Sequence, residues 1–305
     1  MDIYFAGTPN SAAEILKSLA SNDLFNIKGV ITQPDKKGKR GNQLIESPVS
    51  LMADSLNLDT YKPQNLIKEQ LQNDIDINNA DILLVVAYGK LIPNWILESN
   101  IKAVNIHYSI LPSYRGASPI QSSILNNDKK TGVTFMQMSK DLDAGKIIKC
   151  FEIPISENDN KSSLEKKLTE LSIINLEKVI TGICSNKIIP FDQDHEQASY
   201  CKKILKEDSI ISFKESAERI YAKFRAYNEW PGICFIHKNK VIKIHGLEIS
   251  SIQSPGSPGD IISFTSSGLT IKTYDYDIVI THLQFPNKNI ITTKDAYNSY
   301  RQFFV

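Results

Sequence analysis

The sequence has little cysteine and no pattern that would hold a structural metal ion. Its four cysteines lie far apart without a Cys-x-x-Cys pair, and its five histidines show no metal-ligand spacing. Disulfide frameworks and zinc sites both depend on such pairs at short, regular spacing. We therefore expect free thiols, buried in the fold, and no metal ion in the protein.

Long apolar segments are also missing. No stretch approaches the roughly 18 to 20 consecutive apolar residues of a membrane-spanning helix. Met1 is followed almost at once by the apolar run Ile3 to Ala6, so no basic stretch precedes a long apolar segment of the secretory type. With 41% hydrophobic and 23% charged residues, the composition is that of a globular protein. These features predict a soluble, cytoplasmic protein that has no membrane partner.

A phosphate-binding glycine motif is the third absence. The first apolar run ends in Gly7-Thr8-Pro9-Asn10, where a dinucleotide-binding domain would carry G-x-G-x-x-G. A dinucleotide cofactor is therefore disfavoured.

The first part of the chain nevertheless alternates strand-like runs with helical patterns. Helical spacing follows Pro9 and Pro48 and recurs over residues 162 to 184. Strands separated by helices imply right-handed crossovers in a parallel sheet. We expect a Rossmann-like α/β domain with an open, mostly parallel sheet, whose ligands bind beyond the carboxyl ends of the strands. The strand-like runs are Ile3 to Ala6, Ile27 to Thr32, Ile82 to Ala87, Val104 to Ile106 and Val133 to Met136.

The remainder of the chain has a different character. Residues 189 to 205 are polar and aperiodic, which is typical of a linker. Beyond a helical pattern at Ser216 to Tyr227, five short strand-like runs follow in fewer than 100 residues, separated by Asn, Pro and Gly turn signals. We predict a small OB-like β-barrel, a class that includes oligonucleotide-binding domains. The predicted domains are therefore 1–188 and 206–305, joined by the linker 189–205.

Charge is distributed unevenly between these parts. Residues 200 to 305 carry 14 Lys and Arg against 10 Asp and Glu, whereas residues 1 to 199 carry 21 against 24. A positive C-terminal part indicates a weak preference for polyanions. Such an imbalance is also common on solvated surfaces, so nucleic-acid binding needs further support.

The densest group of polar side chains follows the run Val104 to Ile106. Asn105 and His107 are two residues apart, so on a strand their side chains leave the same face. A loop rich in Pro and Gly comes directly afterwards, and loops on a rigid scaffold often carry functional residues. A lone histidine is more often a hydrogen-bonded core residue, and the paired asparagine is what favours a site here.

Two acidic residues follow the next strand-like run. Asp141 and Asp143 lie in the turn that ends at Gly145. Solvated acids are the simplest interpretation of such a turn. If this strand neighbours the strand of Asn105, one of the two carboxylates comes within reach of His107.

These motifs together resemble the signature of the folate-dependent formyltransferases. That signature reads Asn-x-His-x-Ser-(Ile/Leu)-Leu-Pro, then Arg-Gly, then Leu-Asp-x-Gly about 36 residues after the histidine. The resemblance implies that Asn105, His107 and Asp143 are catalytic, that Asp141 is not, and that 10-formyltetrahydrofolate is the formyl donor. The folate-binding residues implied by the same resemblance are Val86, Tyr88, Gly89, Leu91, Ser109, Leu111 and Pro112.

Other segments are similar to the branch of that family that acts on methionyl-initiator tRNA. Residues 34 to 41 form a basic loop with Arg40 at the position of that branch's key arginine, and Phe224 to Gly232 resembles the start of its C-terminal domain. This similarity extends over nearly the whole chain and implies an enzyme with that tRNA as its partner. We expect the enzyme to be a monomer. The expected tRNA-binding residues are Lys36, Lys37, Lys39, Arg40, Lys203, Lys206, Lys223 and Arg225.

The resemblance has one departure and leaves alternatives open. The residue between the His and Ser of the signature is usually small, and here it is Tyr108. On a strand it would face away from Asn105 and His107. The alternatives are a formyltransferase that acts on a nucleotide-sugar amine, a hydrolase of the formyl-folate, and a tRNA-binding protein without catalysis. A purine-pathway member would normally end near residue 200.

Overall fold

A computed structural model of the protein describes residues 1–38, 44–68 and 75–304. The described residues form two compact units. The first contains Met1–Pro119, Lys130–Pro154 and Glu165–Cys201, as far as these ranges are described. The second contains Ile120–Lys129, Ile155–Leu164 and the described chain from Lys202 onward.

Up to residue 201 strands are interspersed with helices, as the sequence predicts, although several strands follow one another directly. In chain order they are β1 (Asp2–Gly7), α1 (Asn10–Ala20), β2 (Asn26–Ile31), β3 (Lys36–Lys37), β4 (Leu44–Ile45), α2 (Pro48–Ser55), β5 (Thr60–Tyr61), β6 (Ile82–Val86), α3 (Asn94–Leu97), β7 (Lys102–His107), β8 (Arg115–Gly116), α4 (Pro119–Leu125), β9 (Lys130–Gln137), β10 (Ile147–Pro154), α5 (Lys161–Cys184) and β11 (Tyr200–Cys201).

The first unit is built on a seven-stranded sheet with the order β10-β9-β7-β6-β1-β2-β5. Strands β5, β2, β1, β6 and β7 are parallel, β9 is antiparallel to β7, and β10 is antiparallel to β9. From β1 the chain first builds outward through β2 and β5, and then returns to add β6 and β7 on the other side. The carboxyl ends of β1 and β6 therefore flank the switch point where ligands bind in such sheets. The prediction of an open, mostly parallel sheet is confirmed.

Strand β6 explains why this sheet has a strong core. All five of its residues, Ile82 to Val86, are buried, because β6 lies between β1 and β7 and is covered on both faces. On one face Leu83 and Val85 belong to an apolar cluster that also contains Tyr88 and Ile96. The strand ends are thereby held in fixed positions relative to one another.

The second unit is an antiparallel sheet with two further helices. Its elements beyond residue 201 are α6 (Ala217–Ala226), β12 (Ile233–His237), β13 (Lys240–Ile249), β14 (Ile261–Phe264), β15 (Leu269–Lys272), β16 (Asp277–Gln284), β17 (Ile290–Thr292) and α7 (Thr293–Phe304). The order is β12-β13-β16-β15-β14, with β17 paired to β16. The sheet is curled into a half-barrel, which confirms the prediction of a small C-terminal β-domain. Over the described residues β12, β14 and β17 each pair with a single strand and form its edges.

Two short segments from earlier in the chain belong to this second unit. Arg225 donates from Nη1 to the carbonyl of Asp159 and from Nη2 to Oδ1 of Asn127, both at 3.0 Å. Lys161 forms an ion pair with Glu229 at 3.0 Å. A domain boundary placed at one position in the sequence leaves these segments out of the second unit. Asp159 and Asn127 lie 66 and 98 positions before Arg225, so the contacts join distant parts of the chain.

The segment predicted as a linker is packed in the first unit as far as Cys201. Phe191 and Ile147 exchange both backbone hydrogen bonds, at 2.8 and 3.0 Å. Gln193 is buried, and β11 pairs in parallel with β8. Residues 189–201 therefore form part of the structure around the carboxyl edge of the sheet; they are called the 189–201 segment below.

Candidate active site

Strand β7 brings the first two predicted catalytic residues to the carboxyl edge of the sheet. Asn105 pairs with Val85 of β6 on one side and with Met136 of β9 on the other, and His107 pairs with Thr134 of β9. Asn105 is half-buried, and its side-chain amide has no hydrogen-bond partner among the described residues. The amide NH₂ group is therefore available to a ligand.

The imidazole of His107 is hydrogen-bonded at Nε2 and faces a carboxylate at Nδ1. Nε2 lies 3.0 Å from the carbonyl oxygen of Tyr114. Because a carbonyl only accepts, Nε2 carries the hydrogen. Nδ1 lies 3.7 Å from Oδ2 of Asp143, which is longer than a hydrogen bond. Since His107 is only 6% exposed, these two groups fix its ring orientation.

Asp143 is the acid that approaches the histidine, whereas Asp141 is exposed. The carboxylate Oδ2 of Asp143 accepts a hydrogen bond of 2.8 Å from the backbone N–H of Gly116. Asp143 itself has a φ of +50°, an uncommon conformation that persists only where the surroundings hold it. Gly116 has a φ of +122°, and a Cβ there would lie 2.2 Å from the carbonyl oxygen of Cys201. The donor to Asp143 thus comes from a position that only glycine can occupy.

Two buried residues near Asp143 were missed as site residues in the sequence analysis. Gln193 donates to the carbonyls of Asp143 and Gly145 at 2.8 and 2.7 Å. Its own carbonyl accepts from Arg115, which is 2% exposed. The Arg-Gly pair of the signature was a signal for Arg115, whereas Gln193 lies in a polar stretch without periodicity and gave none.

Tyr108 lies on the opposite side of β7 from Asn105 and His107. Its hydroxyl is 2.9 Å from Oγ1 of Thr169 on α5. Thr169 donates its own hydrogen to the carbonyl of Glu165 at 2.8 Å, so Tyr108 is the donor in this contact. Burial raises the pKa of Tyr108 to about 12. The large side chain therefore fills space between the sheet and α5.

The segment after β6 turns sharply at the switch point. Ala87 and Gly89 have φ values of +45° and +77°, and Ala87 is exposed. The side chain of Tyr88 is buried in the apolar cluster, and this burial raises its pKa to about 12. Its carbonyl accepts hydrogen bonds from Thr8 and Gln33. Val86 is buried, whereas Leu91 is 81% exposed, so Leu91 offers a side chain to a ligand and Tyr88 does not.

The loop after His107 holds the remaining predicted folate residues. Ser109 is fully buried and donates to the carbonyl of Ser113 at 2.6 Å. Thr134 of β9 donates to the carbonyl of Ser109 and accepts from the N–H of Leu111. Leu111 is buried beside Met136 and Ile147, and Pro112 is half-buried. Ser109 and Leu111 therefore shape this loop from within.

The basic loop predicted to meet tRNA is described only at its two ends. Lys36 and Lys37 are exposed on β3, and Lys39 and Arg40 lie outside the described residues. Lys62 joins the two ends, with Nζ 2.9 Å from Asp35 and 2.7 Å from Glu46. Its partial burial disfavours the charge, but the hydrogen bonds and charges of Glu46 and Asp35 outweigh this, so the pKa of Lys62 is raised. The hydrogen bond from Lys62 holds the pKa of Glu46 below its ordinary value.

The four cations predicted in the C-terminal part fall into two groups. Lys203 and Lys206 are exposed. Lys223 is paired with Glu215 at 2.6 Å, and Arg225 is bound to Asp159 and Asn127 with its guanidinium 5.6 Å from the ring of Tyr221. The charged groups of Lys223 and Arg225 are thus used within the second unit. The tRNA contacts of all four residues stay predictions, and the exposed Lys203 and Lys206 are the better placed to make them.

The part of the chain that the structure describes contains neither a metal-binding cluster nor a membrane span. Within 1–38, 44–68 and 75–304, no three His, Cys, Asp or Glu side chains are placed to hold a metal ion. No helix in those ranges combines the length and apolarity of a membrane span.

An open α/β sheet that gathers an amide, an imidazole and a carboxylate at its carboxyl edge has the arrangement of an enzyme domain. The chain belongs to the formyl transferase family: residues 1–180 match the domain described as Formyl transferase, and residues 203–301 match the Formyl transferase C-terminal domain. This confirms the resemblance found in the sequence.

Individual relatives match over nearly the whole chain. A methionyl-tRNA formyltransferase from Buchnera aphidicola subsp. Acyrthosiphon pisum is 38% identical over 306 residues, which cover 100% of this chain and 97% of the relative. The sugar 3N-formyl transferase WlaRD, solved with dTDP and 5-N-formyl-THF, has a TM-score of 0.67 at 23% identity, over 95% of this chain and 99% of that one.

A longer protein also contains the fold. HypX from Aquifex aeolicus, solved in complex with tetrahydrofolic acid, has a TM-score of 0.63 at 13% identity over 97% of this chain. The match covers 46% of HypX, so this chain spans about half the length of that protein. At these identities WlaRD and HypX indicate a shared fold alone.

Proposed function

We propose that this chain transfers the formyl group of 10-formyltetrahydrofolate to the α-amino group of methionyl-initiator tRNA. The observation that carries the proposal is the group formed by Asn105, His107 and Asp143 at the carboxyl edge of the sheet. Its acceptor is supported by the full-length similarity to a relative named methionyl-tRNA formyltransferase.

The reaction needs no nucleophile from the enzyme. Model α-amines have a pKa of about 7.7 to 8.0, so a useful fraction of the acceptor is neutral near pH 7. The neutral amine attacks the formyl carbon and forms the new C–N bond. The bond from that carbon to the folate nitrogen then breaks, and the proton lost by the amine is transferred to the leaving nitrogen.

Asn105 is the residue proposed to stabilise the oxyanion of the tetrahedral intermediate. Its amide NH₂ has no partner among the described residues, so it donates to the developing charge without giving up another bond. Removing one such donor typically costs on the order of 100- to 1000-fold in rate. Because Nε2–H of His107 is already bonded to the carbonyl of Tyr114, we assign the oxyanion chiefly to Asn105.

His107 and Asp143 are proposed to move the proton. Nδ1 of His107 faces the carboxylate of Asp143 at 3.7 Å, and such contacts in a ligand-free site often tighten when substrate binds. The carboxylate accepts the proton of the incoming amine, and the imidazole assists its return to the leaving folate nitrogen. Both groups are fixed by backbone partners, Tyr114 for the ring and Gly116 for the carboxylate.

The folate is proposed to bind along the turn after β6. Ala87 and Gly89, which have positive φ values, are both exposed in this turn, and Leu91 adds an exposed apolar side chain. Val86, Tyr88, Ser109, Leu111 and Pro112 then contribute backbone or shape, because the structure buries most of their side chains.

The tRNA is proposed to contact each unit through exposed cations. In the first unit we assign the tRNA contacts to Lys36 and Lys37, together with Lys39 and Arg40, which lie outside the described residues. Lys203 and Lys206 serve the second. Phosphate contacts of this kind release counterions and make the affinity depend on salt.

One assay with three acceptor conditions tests the proposal. The purified protein is incubated with 10-formyltetrahydrofolate and either charged initiator tRNA, an amino-sugar nucleotide, or no acceptor. Formyl-methionyl-tRNA as the dominant product is expected. Preferred formylation of the sugar nucleotide, or release of formate at the same rate without acceptor, would instead support one of the alternative enzymes.

A further inference from the structure

Gln193 hydrogen-bonds to the backbone of the loop that carries Asp143. Its Nε2 donates to the carbonyl of Asp143 at 2.8 Å and to that of Gly145 at 2.7 Å. Gln193 is 5% exposed, so water does not replace these bonds readily. The glutamine comes from the 189–201 segment, 50 positions beyond Asp143 in the chain.

The other end of the same amide is anchored by Arg115. Oε1 of Gln193 accepts from Nε at 3.1 Å and from Nη2 at 2.7 Å. The reverse orientation of the amide would set its NH₂ group against these N–H donors and its oxygen against two carbonyls, so the orientation is determined. Arg115 also donates to Nδ1 of His195 at 3.1 Å, and over the described residues it has no carboxylate partner.

These contacts form a closed ring around Asp143. Gln193 holds the carbonyl of Asp143, and Arg115 holds Gln193. The next residue, Gly116, donates its N–H to the carboxylate of Asp143. Asp143 is therefore held at both its backbone and its side chain, and its uncommon φ of +50° is maintained from outside the loop.

We infer that Gln193 is a positioning residue for Asp143 in formyl transfer, with Arg115 as its support. This inference rests on the proposed function. Gln193 acts through Asp143, because its side-chain amide is already hydrogen-bonded to Arg115 and to two backbone carbonyls. A displacement of about 1 Å in a reacting group can cost on the order of 100-fold in rate, so loss of this bond should slow the chemical step.

The variant Gln193→Glu separates positioning from folding. A carboxylate still accepts from Arg115 and gains an ion pair, which keeps the 189–201 segment packed. It cannot donate to the carbonyls of Asp143 and Gly145 unless it is protonated. The control is Gln197→Glu, the same change at an exposed position of the same segment, where the amide contacts Asp194.

The measurement is the pH profile of kcat, with KM for both substrates, for the parent and the two variants. For Gln193→Glu we expect kcat to fall about 10- to 100-fold near pH 8, with each KM within about threefold of the parent. The deficit relative to the parent should shrink towards acidic pH, because the introduced carboxyl can donate a hydrogen bond only while it carries its proton. Gln197→Glu should behave like the parent.

Three outcomes would overturn the inference. The first is a kcat for Gln193→Glu within about twofold of the parent at every pH. The second is an equal fall of kcat in Gln197→Glu. The third is a change in KM for Gln193→Glu without a fall in kcat. If Gln193→Glu does not fold, kcat and KM are measured for Gln193→Met instead, whose side chain has similar length and no charge. A fall in kcat with little change in KM is again the expected result. An inactive parent refutes the proposed function and this inference together, whereas an active parent with a fully active variant refutes this inference alone.

Discussion

At the scale of single residues, side chains along β7 and directly after it alternate between the proposed active site and the space packed against α5. Asn105 and His107 lie on one side of the strand, whereas Tyr108 reaches Thr169 of α5 on the other. The sequence was sufficient to predict this division, because side chains on a strand alternate between its faces. It was not sufficient to predict that the carbonyl of Tyr114 binds the histidine ring, since Tyr114 approaches through a loop conformation with positive φ.

Tyr108→Phe tests that division. The change removes a buried hydrogen bond but leaves the ring in place, so we expect a loss of about 1 kcal/mol in the free energy of unfolding. Formyl transfer should remain close to the parent rate, because the hydroxyl lies on the far side of β7 from Asn105 and His107. Denaturant unfolding and a steady-state assay measure the two effects. A large fall in kcat with an intact fold would show that Tyr108 acts on the site.

At the scale of elements, the regular parts of both units followed from periodicity and the irregular parts did not. Strands such as β6 and the long helix α5 appeared in the sequence as apolar runs of the correct period. The 189–201 segment did not, because its fold depends on Gln193, Phe191 and β11 contacting distant backbone. Hydrogen bonds of this kind leave no periodic pattern.

Leu84→Ala tests the contribution of β6 to the first unit. Leu84 is fully buried in the central part of the sheet, and truncation there typically costs about 2 to 5 kcal/mol. The matched control is Ile174→Ala on α5, where the side chain is 77% exposed and a change within about 0.5 kcal/mol is expected. Urea unfolding of both variants measures the difference. Equal destabilisation would contradict the assignment of β6 to the core.

At the scale of the whole molecule, the sequence predicted two parts and the family comparison supports two matched domains. What the sequence did not reveal is that residues 120–129 and 155–164 belong with the second unit. Charge counting was also incomplete, because it treated all cations of the C-terminal part alike. The structure distinguishes exposed cations such as Lys203 from paired ones such as Lys223.

That distinction predicts different salt dependence for tRNA binding. Lys203→Ala and Lys206→Ala should each reduce the slope of log affinity against log salt by roughly 0.7 to 1 if each neutralises one phosphate. Lys223→Ala should leave the slope unchanged, because that ammonium is paired with Glu215. Titrations at several salt concentrations provide the slopes. An equal reduction in Lys223→Ala would mean that the ion pair opens to bind tRNA.

We propose that Asp143, and not its neighbour Asp141, serves with His107 and Asn105 in formyl transfer. The most direct test is the single-turnover rate of formyl transfer to charged initiator tRNA by Asp143→Asn and by Asp141→Asn. We expect a loss of at least about 100-fold for Asp143→Asn with the fold retained, and a near-parental rate for Asp141→Asn. Comparable rates in the two variants, or a near-parental rate for Asp143→Asn, would contradict it.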